Sequence, residues 1–575
     1  MSEYTEEFLS NLAKSLFNAI NSSTGKLPEK IREKLQYLPV GIRRKVMQRT
    51  FDGATALSKA CVVGNVEIID YLVKVCDADI EQRSIDPRSE DCPIAPLILA
   101  SKYGRLEAVK HLIQLGANVN VTSKCGSTPA LIACSRKDSE MIQYLVEKGA
   151  DVSKPNSRGE TCFFNWIKSL PYGFENRDKK IIQLLLKYGA DPFVSCGGKD
   201  ALQFLCTKRK FPMVAYLMEH INYPLEKIAN TIELVGAIMG LVYNNQVAAV
   251  AWWRKSFRFR MNGTNNIQKR PVIPPQSIYG NVLEFQTLAE LEQIAVSRDA
   301  IVIQSLLIFE RILGVHDPDT LVYMILFGHY CQQNKRMQMC VDVWMLVLLR
   351  QKDAIMGSIV LGTVQRITGF MLNLIHGRNS IVPRFGDAWT VFQMLALNAI
   401  ESRQLVMTAE QQRYFDRTVH YISYLIDVLL SVAQSGGERK MVNDLVRILV
   451  HKNIRCITTG ETLLHLSSKC GNFEYPLGGS GFEQMFRNGN VTKLLLECGA
   501  HIDLPDAFGI RSSDLLAKNP YNKIFLIDHV SLECLCANFI VAKGIPYRDL
   551  AQVVRDQELA VVVYEFDIEV HDLET

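Results

Sequence analysis

The chain has 575 residues, 48% hydrophobic and 22% charged, with a formal net charge of +4 at pH 7. That length exceeds what one hydrophobic core serves, so several domains or a repeat array are expected. The small net charge excludes both the broad basic excess of a dedicated nucleic-acid binder and the make-up of an acidic tail protein. Fifteen cysteines are spread from Cys61 to Cys536 without a C-x-x-C pair, which excludes zinc-ribbon and thioredoxin-type spacings. The opening segment MSEYTEEFLSNL lacks the basic start and apolar run of a secretory signal. The most apolar helical stretches, near 340–349 and 421–432, are too short for a bilayer. A cytoplasmic or nuclear chain with free thiols and no membrane partner is expected.

Residues 1–50 read as a degenerate helical cap, and from 51 to 227 a repeat takes over. Gly116-Ala117-Asn118-Val119 and Gly149-Ala150-Asp151-Val152 are 33 residues apart, the ankyrin period. Gly189-Ala190-Asp191-Pro192 follows after 40 residues, the excess being an insertion at 170–178, and Asp77-Ala78-Asp79-Ile80 closes an earlier unit. An apolar helix precedes each of these, with a shorter helix upstream such as Thr55-Ala56-Leu57 with Ala60 and Gly64. Small residues let the inner helix pack closely, the outer helix supplies aliphatic bulk, and Gly permits a left-handed turn. Such a unit cannot bury its own face alone. Four repeats are marked in this way.

From 228 to 355 the punctuation stops. Longer helices are predicted at 232–242, 249–259, 288–294, 300–313 and 337–350, resembling tetratricopeptide-like pairs. The prolines of 270–279 (RPVIPPQSIY) force an extended connector. Helices at 359–375, 388–402, 410–432 and 440–450 fill a helical region over 356–455. Over 456–528 an ankyrin-like pattern returns: Glu461-Thr462-Leu463-Leu464-His465-Leu466 matches a repeat's opening turn, with His465 as a capping residue, and 491–500 (VTKLLLECGA) matches its second helix. The expected fold class is all-α.

The chain contains no P-loop, G-x-S-x-G, H-E-x-x-H or dinucleotide glycine fingerprint. Its eleven histidines form no ligand spacing with cysteine, so no catalytic centre, metal or cofactor is expected. The stretch Trp252-Trp253-Arg254-Lys255-Ser256-Phe257-Arg258-Phe259-Arg260 admits two readings. It could grip single-stranded nucleic acid by stacking and phosphate contact, or be an amphipathic helix with aromatics inward and arginines solvated. The absence of a wider basic footprint favours the helix, and no nucleic-acid partner is expected.

Near the end, Leu532, Cys536 and Ile540 lie at i, i+4 and i+8 behind Ser531, a natural N-cap. They fall in a segment, 529–563, that precedes an acidic tail at 564–575. Leu-x-x-x-Cys-x-x-x-aliphatic looks like the elongin-binding box of cullin-2 and cullin-5 substrate receptors, a helix-in-groove mode.

The order of parts resembles the Fem (feminization) family of cullin-2 substrate receptors across nearly the whole chain. So do Glu310-Arg311-Ile312-Leu313-Gly314, Pro274-Pro275 with Ile278-Tyr279-Gly280, Leu349-Arg350-Gln351-Lys352 and the two ankyrin-like stretches of 456–528. The resemblance implies a non-catalytic bridge. Leu532, Cys536 and Ile540 would dock elongin B/C, while Ile545, Pro546 and Leu550 would meet cullin-2 with its RING protein. The ankyrin groove would capture protein substrates by a C-terminal degron, in relatives often one ending in arginine. The alternative is a non-ligase ankyrin scaffold.

The groove residues implied by the resemblance are Asp86, Ile98, Cys134, Arg136 and Lys137. Relatives carry Ala-Cys-Phe-Asp-Gly, whose aspartate meets the substrate's arginine. This chain has Ala133-Cys134-Ser135-Arg136-Lys137, so attraction becomes repulsion. The family's tryptophan falls at Ile98, Asp86 takes a second aspartate's place if the loop shifts by one residue, and one ankyrin unit is missing after the insertion. A retained ligase-facing end and a changed degron preference, toward an acidic or free-carboxylate terminus, are therefore expected. The Ile-Pro pair that follows the box in the family lies early here, at Ile545-Pro546.

Overall fold

A computed structural model describes residues 5–20, 26–86, 93–169, 175–261, 267–270, 273–351, 358–376, 382–403, 405, 407–469, 489–502 and 504–518. The chain divides into two compact units, Met1–Pro274 with Leu283–Asp319, and Pro275–Val282 with Thr320–Thr575. No helix among the described residues is long and apolar enough to cross a membrane. The elongin-type box, the cullin-type stretch and the acidic tail lie outside the described residues.

The first unit opens with helices Glu6–Ala19, Glu29–Tyr37 and Val40–Gln48, then a two-stranded hairpin, Thr50–Phe51 against Ala54–Thr55. Inner helices Ala56–Val63, Pro96–Lys102, Pro129–Arg136, Cys162–Ser169 and Ala201–Thr207 stack one on the next. Their starts are set by side chains that take orphan N–H groups: Thr55 accepts from Ser58 N at 3.1 Å and Thr128 from Leu131 N at 3.2 Å. Each is followed by an outer helix, Val66–Lys74, Leu106–Gln114, Ser139–Glu147, Asn176–Lys187 or Phe211–His220. The outer helices bury one stripe only, as with Met141, Ile142, Leu145 and Val146. After the third, Gly149 takes φ 86° and the Ala150 N–H returns to the Leu145 carbonyl at 3.0 Å, closing the helix end. Neighbouring loops are stitched by the same device: Glu81 accepts the Asn118 N–H and Asn120 the Asp151 N–H, both at 2.8 Å.

The fifth pair, Ala201–Thr207 with Phe211–His220, is not marked by the sequence punctuation. Its outer helix ends at Ile221 in extended backbone and the chain leaves through Tyr223-Pro224, so no Gly-Ala-Asp turn announces it.

Beyond it, Leu225–Leu241 packs against Gln246–Arg260 and Arg298–Leu313. The close approach rests on Gly236, where a Cβ would stand 2.5 Å from the Trp253 indole nitrogen. That indole donates to the Glu233 carbonyl at 3.1 Å. Beneath it lies a buried ion network. The Glu233 carboxylate, 1% exposed, takes Arg260 at 2.9 Å and is also paired with Arg311. Glu284 takes Arg311 at 2.7 Å and Lys269 at 3.0 Å. Asn230 Oδ1 accepts from both guanidinium groups.

In the second unit Tyr279 is fully buried in the turn Ser277–Tyr279. The helix Pro318–Gln333, which runs into this unit, was not predicted. It is buried on most faces, from Leu321 through Tyr323, Met324, Phe327 and Cys331, so it carries no amphipathic period. It pairs with Met337–Arg350 through a second glycine–indole contact: Trp344 covers Gly328 and donates to the Ile325 carbonyl at 3.2 Å. The long helix Ala409–Val432 then packs against Ser358–His376, Phe385–Ser402, Gly436–His451, Leu463–Ser468 and Asn490–Glu497. His465 is the capping residue foreseen: Nδ1 meets the Thr462 hydroxyl at 2.8 Å and Nε2 the Ile510 carbonyl at 3.0 Å.

Replacing Glu233 by Ala leaves three buried cations around one carboxylate. It should destabilise the first unit by about 3–5 kcal/mol in urea denaturation, while Arg254→Ala, breaking the half-exposed pair with Glu292, costs under about 1 kcal/mol. The same site predicts a pH effect. Burial pushes the Glu233 carboxyl up, but Lys269, Arg311 and Arg260 outweigh burial and hold it at about 2. The folded value lies below the unfolded value of roughly 4.3. The contribution is therefore complete above that pH and lost as pH falls toward about 2. Glu233→Gln should flatten that part of the stability curve.

Candidate functional site

Four short turns join inner to outer helices along one edge of the N-terminal array. Gly64, Gly104, Lys137 and Arg209 occupy equivalent places, with φ of 86°, 68°, 62° and 59°. In each, the next N–H returns to an inner-helix carbonyl: Asn65 to Ala60, Arg105 to Ala100, Asp138 to Ala133 and Lys210 to Leu205, at 2.9–3.1 Å. A left-handed residue with a Cβ costs roughly 1–2 kcal/mol. A cation near a helix C-terminus gains only about 0.3–1 kcal/mol from the helix dipole. The dipole alone therefore does not account for Lys137 and Arg209 standing where two sister turns have glycine.

The glycine turns serve the stacking. Arg105 donates to the Val62 carbonyl at 3.0 Å, its Cδ 2.7 Å from where a Gly64 Cβ would be. Arg136 donates to the Lys102 carbonyl at 2.7 Å and its guanidinium fills the space over Gly104. Each arginine thus satisfies a carbonyl near the end of the preceding inner helix. At the third turn the donor is the Ser169 hydroxyl, 3.2 Å from the Cys134 carbonyl.

This geometry revises several expectations. Ile98 is 1% exposed and Cys134 fully buried, so both belong to the core and neither can line a groove without opening the stack. Burial, then the neighbouring Cys162, pushes the Cys134 thiol up. Arg136 is exposed at the surface, but its guanidinium is used in repeat stacking. Asp86, 2% exposed, accepts the Tyr103 hydroxyl at 2.7 Å and pairs with Lys102 at 2.6 Å, which ties it to the same edge. Lys137 is exposed there.

Sequence reasoning missed Lys208, Arg209 and Lys210, which end the fifth inner helix. Burial first, then the charges of Lys137 and Lys208, holds the Lys210 ammonium below the usual lysine range, so these cations share one neighbourhood. Two nearby carboxylates are already engaged: Asp138 accepts the Met141 N–H at 3.1 Å, and Asp319 is shared between Lys199 and, at 3.4 Å, Lys208.

His420, Cys456 and Glu461 place ligand atoms within 4.8 Å of one another, which their spacing did not foretell. Glu461 is already paired with Lys469 and accepts the Thr459 hydroxyl at 3.1 Å. Burial, then Asp416, pushes the Cys456 thiol up to about 12. The Glu461 carboxylate is thus already engaged by protein groups. In the stretch from Trp252 to Arg260, Trp253 is buried, Arg254 pairs with Glu292 and Arg260 lies inside the ion network. The helical reading holds, but those two arginines are ion-paired, not simply solvated.

Stacked pairs of inner and outer helices and an exposed turn edge define an ankyrin-repeat protein, a class whose stacked surfaces recognise other proteins. The ankyrin-repeats family, in three copies, matches residues 29–123 and 97–166. The chain is 25% identical over 408 residues to protein fem-1 homolog C of Homo sapiens and of Mus musculus, covering 64% of this chain and 66% of those proteins. It is 29% identical over 401 residues to protein fem-1 homolog CG6966 of Drosophila melanogaster, covering 63% and 60%. The chain is thus a divergent relative of these fem-1 homologues, and the matches span less than two thirds of their length.

The turn geometry gives a stability test. Lys137→Gly and Arg209→Gly should each leave stability unchanged or raise it by up to about 1 kcal/mol, since the backbone already adopts the left-handed region. Gly104→Ala should lower it by roughly 1–2 kcal/mol, because the new Cβ is strained and displaces Arg136. Thermal or urea unfolding of the full chain reads all three.

Proposed function

We propose that this protein is the substrate-recognition subunit of a cullin-2 RING ubiquitin ligase, cytoplasmic or nuclear, with no catalytic centre of its own. The observation that carries the reading is the sequence Ser531-Leu532-Glu533-Cys534-Leu535-Cys536-Ala537-Asn538-Phe539-Ile540 following a second ankyrin set in a Fem-family chain. The i, i+4, i+8 spacing of Leu532, Cys536 and Ile540 is that of a helical stripe offering an aliphatic anchor, a small residue for close approach and a second anchor to an apolar groove on elongin C. Ile545, Pro546 and Leu550 follow where the cullin would be met. The N-terminal array captures the target, and the bridge between its two ends brings that target to the ubiquitin-loaded enzyme held by the RING protein.

The rival reading is an ankyrin scaffold that tethers partners without ubiquitylation. It is favoured by one particular, the early register of Ile545-Pro546. Co-purification with elongin B/C and cullin-2 separates the two, beside a Leu532→Ala, Cys536→Asp double variant. The receptor reading expects capture of both by the wild type and loss of at least tenfold in the variant, about 1.4 kcal/mol or more. Elongin captured without the cullin places the defect after Ile540. Capture of neither hands the function to the scaffold reading.

A further inference from the structure

We infer that the segment Glu565-Phe566-Asp567-Ile568-Glu569-Val570 of this chain docks in a basic-rimmed, apolar-lined cleft of the second unit. The inference is independent of the ligase reading above.

The cleft, of about 880 Å³, lies where helix Gly436–His451 ends, beside the start of Leu463–Ser468 and the turn that follows Asn490–Glu497. Its volume falls in the range of about 300–1,000 Å³ usual for ligand sites. Arg403, Arg447, His451 and Lys452 line it, all four exposed, and no carboxylate is among its described lining residues. Arg403 donates to the Lys452 carbonyl, which fixes these two neighbours on the rim. Asp444 stands 4.0 Å from Arg447 with both side chains more than half exposed, a contact worth little. Between the cations Ile448, Val450, Leu463 and Leu504 supply apolar surface, and Ile448 is left 47% exposed.

Cations after a helix often do no more than complement its dipole. Here the ends of Gly436–His451 and Asn490–Glu497 each bring roughly half a negative charge. Arg403, Arg447 and Lys452 each bring a full positive one, so the rim stays positive over an apolar lining. Its complement is a ligand that is acidic on one side and apolar on the other.

Residues 565–570 have that pattern. Glu565, Asp567 and Glu569 alternate with Phe566, Ile568 and Val570, and 556–575 contain no lysine or arginine. In extended backbone a period of two sets the acids on one side and the apolar residues on the other. The segment lies outside the described residues, which end at Lys518 in the same unit. The stretch 519–564, at up to about 3.3–3.6 Å per residue, sets no limit on reach. Docking closes a loop that holds Leu532, Cys536 and Ile540 between two attachments to the second unit.

The test titrates a fluorescein-labelled peptide of residues 563–575 into full-length chains and reads polarisation. A segment on the same chain competes at an effective concentration far above that of a micromolar peptide. The wild type should therefore bind the peptide at least about tenfold more weakly than Glu565→Lys/Asp567→Lys/Glu569→Lys, whose own segment vacates the cleft. Adding Arg447→Glu/Lys452→Glu to that variant should abolish binding with the melting temperature kept, since both side chains are exposed. Binding to the triple variant should weaken as salt rises. Equal binding by the wild type and the triple variant overturns the inference, as does no binding to the triple variant or binding that survives the cleft substitutions. A scrambled peptide of the same composition that binds as well also overturns it, because alternation would then count for nothing. Carbodiimide coupling of mixed isotopically light and heavy wild-type chains identifies whose segment is bound. A Lys452 link to Glu565, Asp567 or Glu569 should join light to light and heavy to heavy; statistical mixing in that link assigns the cleft to a second copy and overturns the inference.

Discussion

An inner helix of the N-terminal array has almost no face that does not touch a neighbouring repeat. In Pro96–Lys102, residues 96–101 are all buried, which a seven-residue helix achieves only when flanked by other repeats. Stability is therefore passed from neighbour to neighbour, and the residues at each contact must be small enough for backbones to approach. Ala60, Ala100, Ala133 and Cys134 meet that condition. The turns at the helix ends inherit their positions from the same stack, which is why a glycine in one repeat and an arginine in the next act as a pair. Gly104 and Arg136 are one feature split across two repeats.

Where the ankyrin punctuation stops, a different constraint takes over. Glu233, Glu284, Arg260, Lys269 and Arg311 are removed from water together, and each carboxylate has more than one cationic partner. Taking five charges inside carries a desolvation penalty that their mutual attraction offsets only in good geometry. The network ties the connector at 267–270 and Glu284 to helices Leu225–Leu241, Gln246–Arg260 and Arg298–Leu313. It fixes which residues face which more firmly than an apolar contact of the same area would.

Much of the architecture was legible because ankyrin repeats advertise themselves. Gly149-Ala150-Asp151 and its sisters encode a helix end, and Thr55 or Thr128 a helix start. His465 was readable as a cap because its bonding is local, to Thr462 three residues earlier. The candidate site was less legible. Cys134 and Ile98 look like groove residues by position in a family pattern, yet only packing shows that both point into the stack. Lys137 and Arg209 carry no sequence sign of a left-handed backbone, since that is normally inferred from the glycine they replace. The helix Pro318–Gln333 was missed because burial on several faces erases the period by which helices are read. The ion network joins residues up to 81 positions apart, Asn230 and Arg311, a distance over which pattern reading has no purchase.

The two glycine–indole contacts lead further. Gly236 under Trp253, with the indole N–H on the Glu233 carbonyl, and Gly328 under Trp344, with its N–H on the Ile325 carbonyl, are the same arrangement at the same offset of three residues. Each is complete within its own pair of helices. A fastening so self-contained survives copying: a gene segment encoding one hairpin can be duplicated and the new hairpin closes without help from its surroundings. The helical part of this protein therefore carries one self-sufficient clasp twice, each holding its own hairpin without calling on the residues around it.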